Sequence, residues 1–414
     1  MNLSFLNVGA LLSAVWLVLP QALAALPWLY ALDPKSFKKQ ATTVNGISMA
    51  VLVVVAAVFG VAIFFGYYGA SESMQFYGRL FGAVLHLQFL LGLFLFAPLL
   101  LTAVWPKGGA VALAAYRECW RQPMFWLIAF FGGISTWVAV VLPYFTFGDD
   151  FKMMKQIGFD IIMLCSVIFG ALAASISISE EIEGRTAITV MSKPITRRQF
   201  FLGKYFGVLM ACALLSALLI INLNFALLAN PEFDPINKDR AFDPMPEQAK
   251  AELIPYVNKI LPSGPPRVFG QGAAMWFGEC FAHTFGVMLG FGQVMVLVAI
   301  ATALATRLQF IVNLVIVVFV YLFGHLAPVV GRATEGMSGN QSTSSELVNF
   351  LAKLFGAILP ALEFFNMGPA IIRETPLDLW AFIGYVLTVT IYSMIYTLIC
   401  LIIGLLLFED RDLA

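Results

Sequence analysis

Long apolar runs alternate with short polar connections along almost the whole chain. Nine runs are long enough to cross roughly 30 Å of hydrocarbon. They lie near 9–31, 47–69, 80–104, 125–147, 158–179, 205–229, 275–305, 308–330 and 378–407. Lipid offers no partner to open backbone groups, so spans of this length are helices and the pattern predicts an all-α polytopic membrane protein. A tenth apolar stretch, 347–372, is broken by Lys353, Pro360, Glu363 and Pro369 and reads as re-entrant or interfacial helix rather than a span. Residues 107–124, "KGGAVALAAYRECWRQPM", set Arg117, Glu118 and Arg121 among apolar residues at helical spacing. That is the pattern of an amphipathic helix lying on a membrane surface. Residues 230–274 hold eight of the 20 prolines and leave room for one short helix near 247–260, with Pro255 against it.

Composition agrees. The 414 residues are 60% hydrophobic and 12% charged, with mean hydropathy +0.88, where a soluble domain would be about 25% charged. Net charge is zero and points to no nucleic-acid partner. The N-terminal "MNLSFLNVGALLSAVW" lacks a basic n-region, so its apolar run reads as a retained span. The cysteines, Cys119, Cys165, Cys212, Cys280 and Cys400, fall in or beside apolar runs without metal-ligand or CxxC spacing and read as packing residues.

Charge in the short connections sets an orientation. One side receives Lys35, Lys38, Lys39, Lys107, Arg117, Arg121, Arg185, Lys193, Arg197, Arg198, Lys204, Arg307 and Arg411, thirteen of the 24 basic residues. The positive-inside rule makes this side cytoplasmic, with the N-terminus outside and the C-terminus inside. Segment 180–204 is then cytoplasmic and 230–274 is outside.

Several chemistries find no support. The middle of each expected span is free of Asp, Glu, Lys and Arg, which counts against an ion-coupled transporter. His86, His283 and His325 each stand alone on an apolar run and read as packing or interhelical hydrogen-bonding residues. Asn222, Asn224, Gln293 and Asn313 read the same way, with a polar path as the alternative. There is no catalytic triad, paired-carboxylate site, metal cluster or GxxxxGK[ST] phosphate loop. "FLGKYFG" at 201–207 has Gly203-Lys204 but lacks the other loop residues. If this chain does work, the energy comes from another chain.

Segment 180–204, "EEIEGRTAITVMSKPITRRQFFLGK", is the exception to the apolar pattern. Glu180, Glu181 and Glu183 follow one span, and Arg185 and Thr186 come next. Lys193-Pro194 breaks the chain direction. Thr196 is placed to cap a helix whose first turn carries Arg197 and Arg198 and which continues through Lys204 into the next span. A basic loop obeying the positive-inside rule explains the cations but not the glutamates or the Lys-Pro break. The alternative is a docking handle for a soluble partner, with charges fixing the register.

This stretch resembles the signature of ABC-2 type transporter permeases. There an E-x-x-x-x-T segment leads to a Lys-Pro-x-x-Arg turn and a Gly-Lys opening the next helix. Glu181, Thr186, Lys193, Pro194, Arg197, Gly203 and Lys204 occupy those positions. "AYRECWRQPMFW" at 115–126 is similar to the family's amphipathic entry helix, and "FEDRDL" at 408–413 to its Phe-x-x-Arg-Asp ending. The resemblance implies a permease domain over 107–414 with six spans and a re-entrant segment at 347–372. Region 1–106, with three spans, lies outside the resemblance and reads as an accessory region. The resemblance further implies a bacterial plasma-membrane subunit of an exporter, working with a second permease or a second copy and a separate ATPase. ATP and magnesium would sit on that ATPase and no cofactor on this chain. The coupling residues would be Glu180, Glu181, Glu183, Arg185, Thr186, Lys193, Pro194, Arg197, Arg198 and Lys204, with Arg117, Glu118 and Arg121 on the interfacial helix. The rival readings are a non-transporting scaffold of a mechanical ABC complex and an ion-coupled transporter.

Overall fold

The computed structural model describes residues 8–68, 72–141, 150–183, 195–233, 247–336, 350, 354, 356, 359–366 and 379–410. Among them every regular element is helical. The helices are α1 (Val8–Leu32), α2 (Pro34–Thr42), α3 (Val44–Tyr68), α4 (Glu72–Val104), α5 (Pro106–Arg121) and α6 (Pro123–Val141). They continue as α7 (Asp150–Glu183), α8 (Arg197–Phe233), α9 (Glu247–Ile260), α10 (Pro265–Ala305), α11 (Phe310–Gly336) and α12 (Leu379–Glu409), with a 3-10 turn at Leu362–Phe365 before the last.

Eight helices among the described residues are long and apolar enough to cross a membrane, against the nine expected. The ninth expected run, 308–330, falls on α11, which among the described residues is an apolar helix over Phe310–Leu326. The other expected runs correspond to α1, α3, α4, α6, α7, α8, α10 and α12. The short helix expected near 247–260 is α9, and it forms despite Pro255. Of the stretch 347–372, the 3-10 turn and its flanks at 359–366 are described, and the rest lies outside the described residues.

The core is built around α10, the longest helix at 41 residues. Phe125 of α6, Ile162 and Phe169 of α7, Leu215 and Leu219 of α8, and Val294 and Val298 of α10 are all buried together. Away from this core, large apolar side chains such as Leu127, Phe130, Leu387, Ile391 and Leu398 are exposed, as they are on a surface made for lipid. In a hydrocarbon solvent apolar burial gives helices little reason to associate, so close backbone approach and interhelical hydrogen bonds carry the packing. Both are present. Asn222 of α8 donates to the Gly133 carbonyl of α6 at 3.2 Å, and Asn313 of α11 donates to Ser175 of α7 at 2.8 Å. His86 of α4 meets Thr284 of α10 at 2.7 Å.

The N-terminal helices join the same body. Gln21 of α1 donates to Gln88 of α4 at 2.7 Å. Gly78 and Gly82 of α4 lie directly against the Phe269 and Ala273 carbonyls of α10, where any Cβ would run into backbone. The region 1–106 is therefore fastened along α10 through α4.

One expectation is corrected here. Helices α7, α8 and α10 begin well before the apolar runs expected for them, and the longer helices carry buried charge toward their first halves. Lys155 lies within the span of α7 and Glu279 within that of α10. Both are buried, 4% and 5% side-chain exposure, and paired with each other. A helix carries such residues into a membrane when the bundle supplies their counter-charges, which no linear pattern reveals.

Candidate functional site

The charged end of the bundle is where α7 finishes, α8 starts and α12 finishes. Thr196 and Gln199 form a reciprocal cap at the start of α8. The Gln199 amide donates to Thr196 Oγ1 at 3.2 Å, and the Thr196 amide donates to Gln199 Oε1 at 3.1 Å. This capping box satisfies two amides at the helix start and sets its entry angle. The next residue, Arg197, donates to the Phe408 and Glu409 carbonyls at 3.3 and 2.9 Å. Those are carbonyls at the end of α12, which lack intrahelical partners. Arg198 pairs with the Glu409 carboxylate at 2.8 Å. Arg307, in the turn between α10 and α11, donates to the Leu407 carbonyl at 3.1 Å and pairs with Asp410 at 3.2 Å.

Two turns into α8 lies Lys204, with a side chain only 6% exposed. Its ammonium donates to Glu181 of α7 at 2.5 Å, Ser177 of α7 at 3.0 Å and Glu118 of α5 at 3.2 Å. All three protons of the ammonium are thus used. Glycines on α8 let α5 come this close. A Cβ at Gly207 would strike the Ala112 carbonyl, and one at Gly203 would strike Val111. Beneath the charge cluster, burial pushes the Cys119 thiol of α5 up to about 12, with Glu118 adding to the effect. Burial also raises the neighbouring Tyr116 hydroxyl.

A family model described as ABC-2 family transporter protein matches residues 137–413, well over half of the chain. The chain belongs to this ABC-2 family. The match begins inside α6 and leaves the N-terminal region uncovered. Comparison with curated proteins and with solved structures gives no significant match. Membership accounts for a polytopic membrane transporter protein. The match covers Glu181, Arg197, Lys204 and Phe408, and α5 lies before it.

The residues expected to act together in this ABC-2 protein fall into three groups. Glu181, Arg197, Arg198, Lys204 and Glu118 are brought into the two linked clusters above. Glu180 and Glu183 belong to the last turn of α7, and Arg117 and Arg121 are exposed on α5. Arg185, Thr186, Lys193 and Pro194 lie outside the described residues. Sequence reasoning missed Arg307, Glu409 and Ser177. Arg307 carried a signal, since it is a single cation in a very short connection between two apolar runs. Ser177 carried none.

A second polar cluster sits deep in the bundle. The Lys155–Glu279 pair has His283 beside it, with Nε2 3.0 Å from Glu279 Oε1 but not aligned as a hydrogen bond. His283 Nδ1 meets Asn224 Oδ1 of α8 at 2.7 Å. The Lys155 ammonium also lies 4.8 Å from the Phe151 ring. Three helices, α7, α8 and α10, are cross-linked here. His283 is thus not isolated, and its partners come from distant parts of the sequence.

Proposed function

We propose that this chain is the membrane-spanning subunit of an ATP-driven exporter, coupled to a separate ATPase chain through segment 180–204. The observation that carries the reading is the double anchoring of that segment. Its start is tied through Glu181 to Lys204, and through Lys204 to α5. Its end is tied through Arg197 to α12. A push delivered to this segment is passed to α5, α7, α8 and α12 through these anchors. Charged groups at such a surface fix register and partner choice. ATP and magnesium belong on the ATPase, and this chain works as a homodimer or beside a second permease.

The finer architecture follows from the same reading. Region 107–414 is the permease domain, α5 is its amphipathic entry helix, and 347–372 is re-entrant before the last span. Region 1–106 is an accessory unit. α11 is 27 residues long, about 40 Å at 1.5 Å per residue, and crosses as the ninth span. That leaves the N-terminus outside and the C-terminus in the cytoplasm of a bacterial inner membrane.

The test is reconstitution with the partner ATPase in sealed vesicles. ATP-driven movement of a solute, lost when either chain is omitted, is the expected result. ATP hydrolysis that depends on both chains without any solute movement would leave the mechanical scaffold instead. Absence of any association with an ATPase would end the reading.

A further inference from the structure

Helices α1 and α4 run in parallel, since Gln21 meets Gln88 and Pro27 packs beside Gly92. Because α2 follows α1 and α5 follows α4, α2 lies at the same end of the bundle as the Lys204 cluster. A single residue, Asp33, joins α2 to α1, and a single residue, Thr43, joins it to α3. Both joints are capped. Asp33 Oδ1 accepts from the Lys35 and Ser36 amides at 3.1 and 3.0 Å, and the Thr43 amide donates to the Lys39 carbonyl at 3.1 Å. A Cβ at Gly46 of α3 would run into the Gln40 carbonyl, so α2 and α3 meet at close approach. With α1 and α3 crossing the membrane, two such short joints hold α2 at the level of the lipid headgroups. An aromatic pair marks the same level. The rings of Phe37 on α2 and Tyr30 on α1 meet edge-on with centroids 5.8 Å apart, and tyrosine collects at this boundary.

Nothing in the described bundle covers α2, which has no buried residue. Lys35, Lys38 and Lys39 recur at i, i+3 and i+4 and so share one face. All three are exposed, and none pairs with a carboxylate among the described residues. The acid beside them, Asp33, is engaged in the helix cap. An ammonium only donates, so this face calls for an anion. At headgroup level the anion at hand is lipid phosphate, and basic segments beside a span are drawn to anionic membrane surfaces. We propose that the lysine face of α2 binds the headgroup of an anionic phospholipid, with Lys35, Lys38 and Lys39 on its phosphate. The positive-inside rule accounts for cations in this connection. It does not account for their gathering on one face of a helix capped at both ends. The site rests neither on transport nor on an ATPase.

The experiment is native mass spectrometry of the full chain in detergent micelles, titrated with dioleoyl phosphatidylglycerol or dioleoyl phosphatidylcholine. Phosphatidylglycerol should bind about tenfold more tightly, as three cations at a headgroup surface imply. The combined variant Lys35→Gln/Lys38→Gln/Lys39→Gln should lose most of that preference, and the corresponding Arg variant should keep it. Melting temperatures should stay near the parent's, because α2 buries no residue. Lys259→Gln, an exposed lysine of α9 at the other end of the bundle, should leave the preference unchanged. Equal binding of the two lipids overturns the proposal. So does an unchanged preference in the Gln variant, or an equal loss in Lys259→Gln. Competition by glycerol 1-phosphate at the lipid's concentration would assign a soluble phosphate and overturn the lipid site. If the Gln variant keeps its lipid preference but no longer co-purifies with the ATPase, the face belongs to an acidic protein surface and the proposal falls.

Discussion

Lys204 and Lys155 are both buried cations, and their surroundings give them different tolerances. Lys155 faces one carboxylate, Glu279, and both side chains are nearly inaccessible. Removing one member of such a pair leaves a lone buried charge, at a cost of about 3–5 kcal/mol. Lys155→Met should therefore lower the melting temperature of the detergent-solubilised protein sharply, by size-exclusion detection after heating. Lys155→Met with Glu279→Gln should recover most of the loss, because the two positions form one interaction. Equal melting of the single and double variants would show that the pair is not a unit. Lys204 faces Glu181 and Glu118, which are 23% and 44% exposed. Water screens the carboxylates left behind, so Lys204→Met should cost less than Lys155→Met. Below this cluster, Cys119 gives a simple check on the packing of α5. Its thiol is fully buried, and with its pKa raised to about 12 the reactive thiolate is nearly absent at pH 8. It should resist maleimide in the folded protein at pH 8 and react on denaturation. Rapid labelling of Cys119 in the native state would mean that α5 leaves α8.

Helices, rather than single residues, connect the two ends of the molecule. Glu181 and Asp160 are 21 residues apart on α7, roughly 30 Å at 1.5 Å per residue. One helix thus runs from the charged end of the bundle to the level of Asp160. Alongside it, α10 holds the N-terminal region through α4. Gly82→Leu should drive α4 off the Ala273 carbonyl and cost several kcal/mol of packing, read as a lower melting temperature. Gly60→Leu, at a helical glycine of α3 with nothing within 4 Å of its Cβ position, should leave it unchanged. Comparable losses for both would mean that α4 and α10 do not pack by close approach. The existence of these helices was legible in the sequence, because a 20-residue apolar run has few other outcomes. Their ends were less so. Hydropathy marks where lipid-facing residues stop, whereas α8 continues as helix to Arg197 under its Thr196 cap and the Arg198–Glu409 pair, and α10 to Pro265, where Arg267 donates to the Leu261 carbonyl. The candidate site was legible where charge stood out from an apolar background, at Glu181, Arg197 and Lys204. It was not legible where partners sit far apart in sequence, as Lys155 and Glu279 do. The capping role of Thr196 followed from local chemistry alone, and Gln199 completes it.

For the whole molecule, the prediction is that the charged end faces the cytoplasm and takes up force there. A cysteine at Ser263, exposed in the turn between α9 and α10, should react with an impermeant thiol reagent from outside intact spheroplasts. Labelling only after lysis would invert the orientation and remove the segment at 180–204 from reach of any cytoplasmic ATPase. Given the expected orientation, coupling and stability separate by variant. Arg198 has a side chain 71% exposed, so water screens its pair with Glu409 and the pair adds little to stability. Arg198→Glu should then insert and fold at parental levels, while placing a like charge against an acidic surface of the ATPase. Misplaced charge at an interface can cost several kcal/mol, so co-purification of the ATPase should fall at least tenfold and recover with Arg198→Lys. Pro194→Ala acts otherwise, because alanine frees the residue before it to become helical. It should keep the ATPase bound while hydrolysis runs without solute movement. If both variants, present at parental levels in the membrane, bind the ATPase and support transport like the parent, segment 180–204 is a topology signal only. The push would then have to enter the bundle through α5, whose Glu118 reaches Lys204 by a route that does not involve Arg198.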